Sequence, residues 1–225
     1  MGNDTLDFTI ESLGPCTIQS PIKLSSVHGD MTANYVNDGS YIINNVNVYD
    51  KSQPVVLDSS NLIEKAGPRE KIFFDPKNAR AGICTCGGLC PGLNDVIRAV
   101  VRCLNTRYGV KTVKGYQFGF HGFFQEEGYE PIELDRYLID EIHKIGGTYL
   151  GTSRGGGQRV SEIVDCLERD GINMLFIIGG DGTQRGSYDI ACEVEKRQLK
   201  CAVVGIPKTV DNDLMFIDRS FGFET

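Results

Sequence analysis

From Ala81 onward, unbroken apolar runs end in glycine-rich turns that open onto amphipathic helices, and this repetition limits the possible folds more than any other feature. AGICTC runs into CGGLCPGLN, NMLFIIGG into DGTQRG, and CAVVGIP into KTVDND, with KTVKGYQ as a further strand candidate. Strands that are apolar at every position, rather than at alternate ones, are buried on both faces. Between them, NDVIRAVVRCLNTRYG sets Val96, Ile97, Val100, Val101 and Leu104 on one helical stripe. LDRYLIDEIHKIGG predicts a helix with Leu134, Leu138, Ile142 and Ile145 inward, closed by Gly146. SEIVDCLERDG predicts another, with Ser161 as N-cap, Ile163, Val164 and Leu167 buried and Gly171 at its end, and GSYDIACEVEKR predicts the last. Two-sided strands alternating with helices make an α/β fold, a doubly wound, Rossmann-like and mostly parallel sheet, with ligands at the C-terminal ends of its strands.

Residues 1–70 have a different texture. They are mixed and polar, with short alternating pieces such as NVNVYD and a turn-like KAGPREK, and form a partly irregular extension ahead of the patterned residues 71–225. A chain of 225 residues with 40% hydrophobic and 24% charged residues supports one substantial core plus such an appendage. The net charge of −7 argues against nucleic acid or an anionic membrane as partner, so an anionic ligand has to be held by local groups. No apolar run is long enough to span a membrane, acids come early where a targeting segment would be basic, and Leu6 breaks a myristoylation pattern. A cytoplasmic location is expected. The eight cysteines include Cys84, Cys86 and Cys90 in CTCGGLC, but that spacing has no CxxC pair and no nearby histidine, so reduced packing thiols are expected.

The turns carry the chemistry. Gly179 and Gly180 allow a sharp turn and a close backbone approach, and the helix after them aims its first amides and positive dipole end at the same point, which suits a polyphosphate. Asp181 would repel bare phosphate and makes sense with Mg²⁺ between them; the bland reading is a tight GGDG turn. CGGLCPGLN offers a second set of amides. GGTYLGTSRGGGQ delivers Arg154 among glycines, either as a bidentate phosphoryl clamp or as an ordinary solvated arginine. IPKTVDND gathers Lys208, Thr209, Asp211 and Asp213; one carboxylate can take a proton while the other orients a substrate or metal, or the segment is a plain turn. Walker A, HRD and DFG sequences are absent, so a nucleotide here is held by another scheme.

The ordered series TCGGLCPGLNDVIR, GGTYLGTSRGG, IIGGDGTQRG and GIPKTVDND resembles the 6-phosphofructokinases from about residue 66 to 225. AGPREKIFFDP and PKTVDND look more like the ATP-dependent enzymes of plants and kinetoplastid protists than the short bacterial form, which has glycine in place of Lys208. The resemblance implies that residues 71–225 are the family's nucleotide-binding lobe, acting in glycolysis with ATP and Mg²⁺ as cofactors and fructose 6-phosphate as substrate. It makes Asp211 the general base for the 1-hydroxyl, flanked by Thr209 and Asp213 at the phosphoryl group and sugar, with Lys208 beside them. Asp181 would hold Mg²⁺, while Gly87, Gly88, Arg154, Gly180, Gly182 and Thr183 would lie along the nucleotide.

Pyrophosphate-using members carry aspartate at the place of Gly182, in the path of an adenine nucleotide, so glycine favours ATP; Lys208 is shared with the pyrophosphate-dependent enzymes. Leu89 stands where bacterial enzymes have aspartate, a departure that argues against a magnesium-related role at that position. Family members continue beyond the equivalent of SFGFET into a second, sugar-phosphate-binding lobe; on that comparison the chain looks truncated, and weak or no turnover is expected of it alone. A homo-oligomer, dimer or tetramer, is implied for the longer form. The competing readings are a pyrophosphate-dependent phosphofructokinase, a kinase of the NAD or diacylglycerol type that also uses GGDGT, and a non-catalytic fragment or regulatory subunit.

Overall fold

The computed structural model describes residues 6–27, 29–44, 52 and 54–225; the NVNVYD segment lies outside them. The chain divides into two units, Met1–Phe73 and Phe74–Thr225. In the first, β1 (Ile18–Gln19) and β4 (Lys71–Ile72) pair antiparallel, as do β2 (Tyr41–Ile43) and β3 (Leu62–Glu64). KAGPREK contributes more than a turn. The Arg69 guanidinium donates to the carbonyls of Val36 and Lys65 and to the Glu64 carboxylate, at 3.1, 2.7 and 2.7 Å. One five-donor side chain therefore ties segments some thirty residues apart.

The second unit holds the repeating pattern. Its strands are β5 (Arg80–Thr85), β6 (Thr112–Tyr116), β7 (Ile132–Glu133), β8 (Met174–Gly179) and β9 (Ala202–Pro207). They form one sheet in the order β7-β6-β5-β8-β9, parallel except for β7 at one edge. Helix α1 (Leu93–Arg102) continues into a π turn, Cys103–Tyr108, that closes on Gly109 at φ 79°. Helices α2 (Val160–Asp170) and α3 (Asp181–Lys196) complete the layers.

Alternation along the strands sorts the core between the two faces. Ile83, Val113 and Ile178 pack with Ile97 and Val101 of α1, while Cys84, Leu175 and Ile177 pack with Ile163, Leu167 and Ile190 of α2 and α3. Each fully buried isoleucine or leucine contributes about 1.5–3 kcal/mol, and the two-sided burial of the central strands follows from having helices on both faces. Strand β9 departs from that expectation: Val204 and Gly205 are exposed, because β9 is the edge of this sheet.

Two local expectations need correction. Residues 134–147 do not form a helix. The Asp135 carboxylate accepts the amides of Tyr137 and Leu138, both at 2.8 Å, and the segment proceeds as separate turns with a short 3-10 piece at Ile142–Lys144. Ile139 is therefore inward, while Leu138 and Ile145 are 40% and 61% exposed, and the glycine with positive φ is Gly147. Ser161 is not an N-cap: α2 begins at Val160 and Arg159 precedes it, while the Ser161 hydroxyl accepts a hydrogen bond from Arg197 at 2.7 Å. Gly171 ends α2 at φ 65° as expected.

Candidate active site

The loops at the C-terminal ends of β5, β8 and β9 meet at one edge of the sheet. A fourth loop, residues 146–158, follows no strand; it reaches the same edge by pairing Ser153 with Cys86 beyond the end of β5. The Gly87 amide donates to the Ser153 carbonyl at 2.8 Å, and the Thr152 hydroxyl donates to the Gly87 carbonyl at 2.7 Å. On the other side, the Cys86 amide donates to the Ile178 carbonyl at 2.8 Å. The Lys208 amide donates to the Gly179 carbonyl at 2.9 Å, and its ammonium reaches across to the Gly88 carbonyl. The loops are thus tied to one another by backbone donors and acceptors and by one lysine.

Together they enclose a cavity of about 480 Å³. Gly87, Gly88, Arg154, Gly180, Asp181, Gly182, Thr183 and Lys208, all singled out in the sequence, line it. Thr209, Asp211 and Asp213 follow Lys208 directly but do not line it. The Thr209 hydroxyl donates to Asp213 Oδ1 at 2.6 Å and accepts the Asp211 amide at 3.1 Å. Asn212, at φ 53°, fastens the loop from behind by accepting the Ser220 amide at 2.7 Å and donating to the Asp218 carbonyl at 3.0 Å. Asp211 is left exposed with its carboxylate turned to no described partner.

The glycines divide by purpose. Gly87, at φ 83°, needs the left-handed region. Gly179 and Gly180 make the sharp turn without positive φ: β8 ends at Gly179, α3 starts at Asp181, and Gly180 between them is extended at φ −83° and ψ −166°, while a Cβ on Gly179 would overlap the Thr183 side chain. The pair supplies space. Gly157 and Gly186 bring the 153–158 segment onto α3, where a Cβ on either would meet the Phe120 ring at 3.2 or 3.3 Å.

The charges are arranged as an anion site would require. Asp181 starts α3, whose first turn presents the positive end of the helix dipole to the cavity. Arg154 is exposed, and its side chain makes no hydrogen bond or ion pair among the described residues, unlike Arg197, which is bound to Asp165, Glu168 and Glu193 at 2.6–2.8 Å. Lys208 is only 6% exposed. Burial pulls its ammonium below the usual lysine range and Arg154 adds to that, against the opposite pull of Cys90 and Cys86. Three cations, Arg154, Arg185 and Lys208, against two carboxylates, Asp181 and Asp189, leave a cationic excess on the cavity wall that favours a bound anion.

Sequence reasoning missed several lining residues: Phe120, Gln158, Arg185 and Asp189. Phe120 follows β6 in a 3-10 turn that no period announces. Arg185 and Asp189 were within reach, because they fall four and eight residues after Asp181 and so on the same face of α3.

The phosphofructokinase family model matches residues 80–225. The chain is 52% identical over 223 residues to an ATP-dependent 6-phosphofructokinase of Borreliella burgdorferi, a match covering 99% of this chain and 49% of that one. It is 54% identical over 163 residues to ATP-dependent 6-phosphofructokinase 5, chloroplastic, of Arabidopsis thaliana, covering 72% and 30%. With the ATP-dependent 6-phosphofructokinase of Trypanosoma cruzi the identity is 52% over 164 residues, covering 73% and 34%. The chain thus spans half the length of the first of these relatives and a third of the other two. Among solved structures, the pyrophosphate-dependent phosphofructokinase of Marinobacter aquaeolei has the same fold at a TM-score of 0.57 and 23% identity, over 64% of this chain and 37% of that one. The phosphofructokinase of Saccharomyces cerevisiae gives 0.54 and 22%, over 64% and 22%. With a matched region that takes in the whole sheet and all four loops, the chain belongs to the phosphofructokinase family.

Proposed function

We propose that this chain carries the donor-binding and proton-accepting end of an ATP-dependent 6-phosphofructokinase. The reaction moves the γ-phosphoryl group of MgATP to the 1-hydroxyl of fructose 6-phosphate, giving fructose 1,6-bisphosphate and ADP. The observation that carries this reading is the convergence of Gly87, Arg154, Asp181 and Lys208, from four separate loops, on one cavity. The names of the relatives agree with it.

In this reading the amides of the Gly87–Gly88 turn and of the first turn of α3 receive the polyphosphate, and Arg154 offsets the charge that builds on the transferring group. Asp211 accepts the proton of the attacking hydroxyl. Thr209, held by its bond to Asp213, keeps the loop in register with the phosphoryl group, and Asp213 serves the sugar. Lys208 orders the Gly88 turn and adds positive charge behind it. The exposed Asp181 carboxylate at the cavity wall fits a hard, oxygen-bound cation such as Mg²⁺, which supplies charge neutralisation at the phosphoryl oxygens. Positioning and electrostatics suffice for this chemistry.

Supplying MgATP and magnesium pyrophosphate side by side to the full-length protein, with fructose 6-phosphate in excess, tests the donor. Bisphosphate formed from ATP supports the proposal, and bisphosphate formed only from pyrophosphate overturns it. We further place the protein in the cytoplasm as a homo-oligomer, dimer or tetramer, on its resemblance to family members that assemble so; sedimentation velocity of the purified protein checks the assembly. No described helix is long and apolar enough to cross a membrane.

A further inference from the structure

Two side chains on the cavity wall have no part in the chemistry just described. Arg185 and Asp189 stand one helical turn apart on α3, four and eight residues beyond Asp181. Both are exposed, and neither makes a hydrogen bond or ion pair among the described residues, with each other or with anything else. Arg197 pairs with Glu193 at the same spacing, at 2.8 Å, but there the acid comes first; with the arginine first, as here, pairing along a helix is less favoured, and both side chains are left available.

Their place along the helix says what they face. Asp189 lies about 12 Å along the axis from Asp181 at 1.5 Å per residue. A ligand with its phosphates at the first turn of α3 runs along this wall and brings its far end to Asp189. Beside that end, Gly157 and Gly186 pack bare backbone against the Phe120 ring and add no side chain of their own to the cavity wall, which leaves room for a planar ring. An arginine next to a carboxylate reads a hydrogen-bond acceptor next to a donor. Adenine offers that pair, a ring nitrogen beside the exocyclic amine, whereas hypoxanthine puts a carbonyl oxygen where the amine would be.

We infer that Asp189 is a specificity-determining residue of the donor site, accepting a hydrogen bond from the exocyclic amine of an adenine base while Arg185 donates to the adjoining ring nitrogen. This rests on the proposed nucleotide donor and adds how its base is recognised.

The test compares binding of ATP, ITP and inorganic tripolyphosphate to the intact protein and to its Asp189→Ala and Asp189→Asn variants by calorimetry with Mg²⁺ present. The wild type is expected to prefer ATP to ITP about ten-fold, the worth of one charge-assisted hydrogen bond. Both variants are expected to lose most of that preference through weaker ATP binding, with tripolyphosphate affinity unchanged. Equal affinities of the wild type for ATP and ITP overturn the inference and leave the donor assignment standing. So does a fall in all three ligands together, which marks Asp189 as structural or as a general electrostatic effect. A wild type that binds tripolyphosphate but neither nucleotide overturns the nucleotide donor itself. Because Asp189 is exposed and unpaired among the described residues, the variants are expected to melt with the wild type, and a lowered melting temperature accompanying the ATP loss counts against the inference.

Discussion

At the scale of single residues, Asp211 and Lys208 have opposite surroundings. Asp211 is exposed, its backbone fixed by the Thr209 hydroxyl and its carboxylate unengaged among the described residues, as the proposed role of base requires. Asp211→Asn keeps the shape and removes the basicity; in the full-length protein turnover is expected to fall by about 10²–10⁴-fold with nucleotide binding retained, measured as bisphosphate formation beside calorimetry. Lys208 is buried, and its proton is held less tightly than that of a surface lysine. The sign follows from linkage. Since the folded state gives up this proton at lower pH than the unfolded chain, Lys208 makes stability rise with pH between its depressed value and the ordinary 10.5. A bound polyanion prefers the charged form, so affinity for tripolyphosphate is expected to fall as pH climbs through the same window, and Lys208→Met is expected to flatten that fall. Titrating binding from pH 7 to 10 checks both. The residue types of this site were legible because lysine, threonine and aspartate crowd one short loop; that the lysine turns inward to the Gly88 carbonyl was not, since its partner lies 120 positions earlier in the sequence.

At the scale of elements, the first turn of α3 contains a position with no packing constraint. Nothing lies within 4 Å of a Cβ built on Gly182. Gly182→Asp is therefore expected to change stability by no more than about 0.5 kcal/mol. It sets a carboxylate at the mouth of the proposed nucleotide path, and in the full-length protein kcat/KM with ATP is expected to drop at least ten-fold, with pyrophosphate binding less affected. Thermal melting and steady-state kinetics with both donors distinguish this from misfolding. The strands and helices around this turn were readable because period and burial agree: the two-sided strands β5 and β8 and the stripe of α1 need only their own side chains to be recognised. Residues 134–147 were misread because their apolar spacing is helical while Asp135 binds the amides of Tyr137 and Leu138 and turns the chain instead. A hydrogen bond from a side chain to nearby backbone has no period and leaves no mark in a hydrophobic pattern.

Across the whole molecule, the cysteines report on packing. All eight are free. Cys16 and Cys192 are exposed, whereas Cys84, Cys86, Cys90, Cys166 and Cys201 are buried, and burial pushes the Cys166 and Cys201 thiols up to about 11. A thiol reagent at pH 8 is expected to react quickly at two positions and with all eight only after denaturant, as followed by absorbance and peptide mapping. Bound ATP is expected to slow modification of Cys86, which lines the cavity. The parallel sheet and its ligand edge could be foreseen because the loop sequences sit in order after their strands. The exposure of β9 and the route by which residues 146–158 reach that edge could not, since both depend on which strands end up as neighbours.

The ties that join Gly87 to Ser153 and Thr152, Cys86 to Ile178, and Lys208 to Gly88 have a consequence for how such a chain can change over time. Loops at strand ends are ordinarily where an α/β protein gains and loses residues most freely. Here each loop is part of its neighbour's scaffold, so a residue inserted in one would shift the amides and cations presented by the others. Variation in length is therefore expected in the segments behind the sheet, and the loop edge is expected to tolerate exchange of one side chain for another better than insertion.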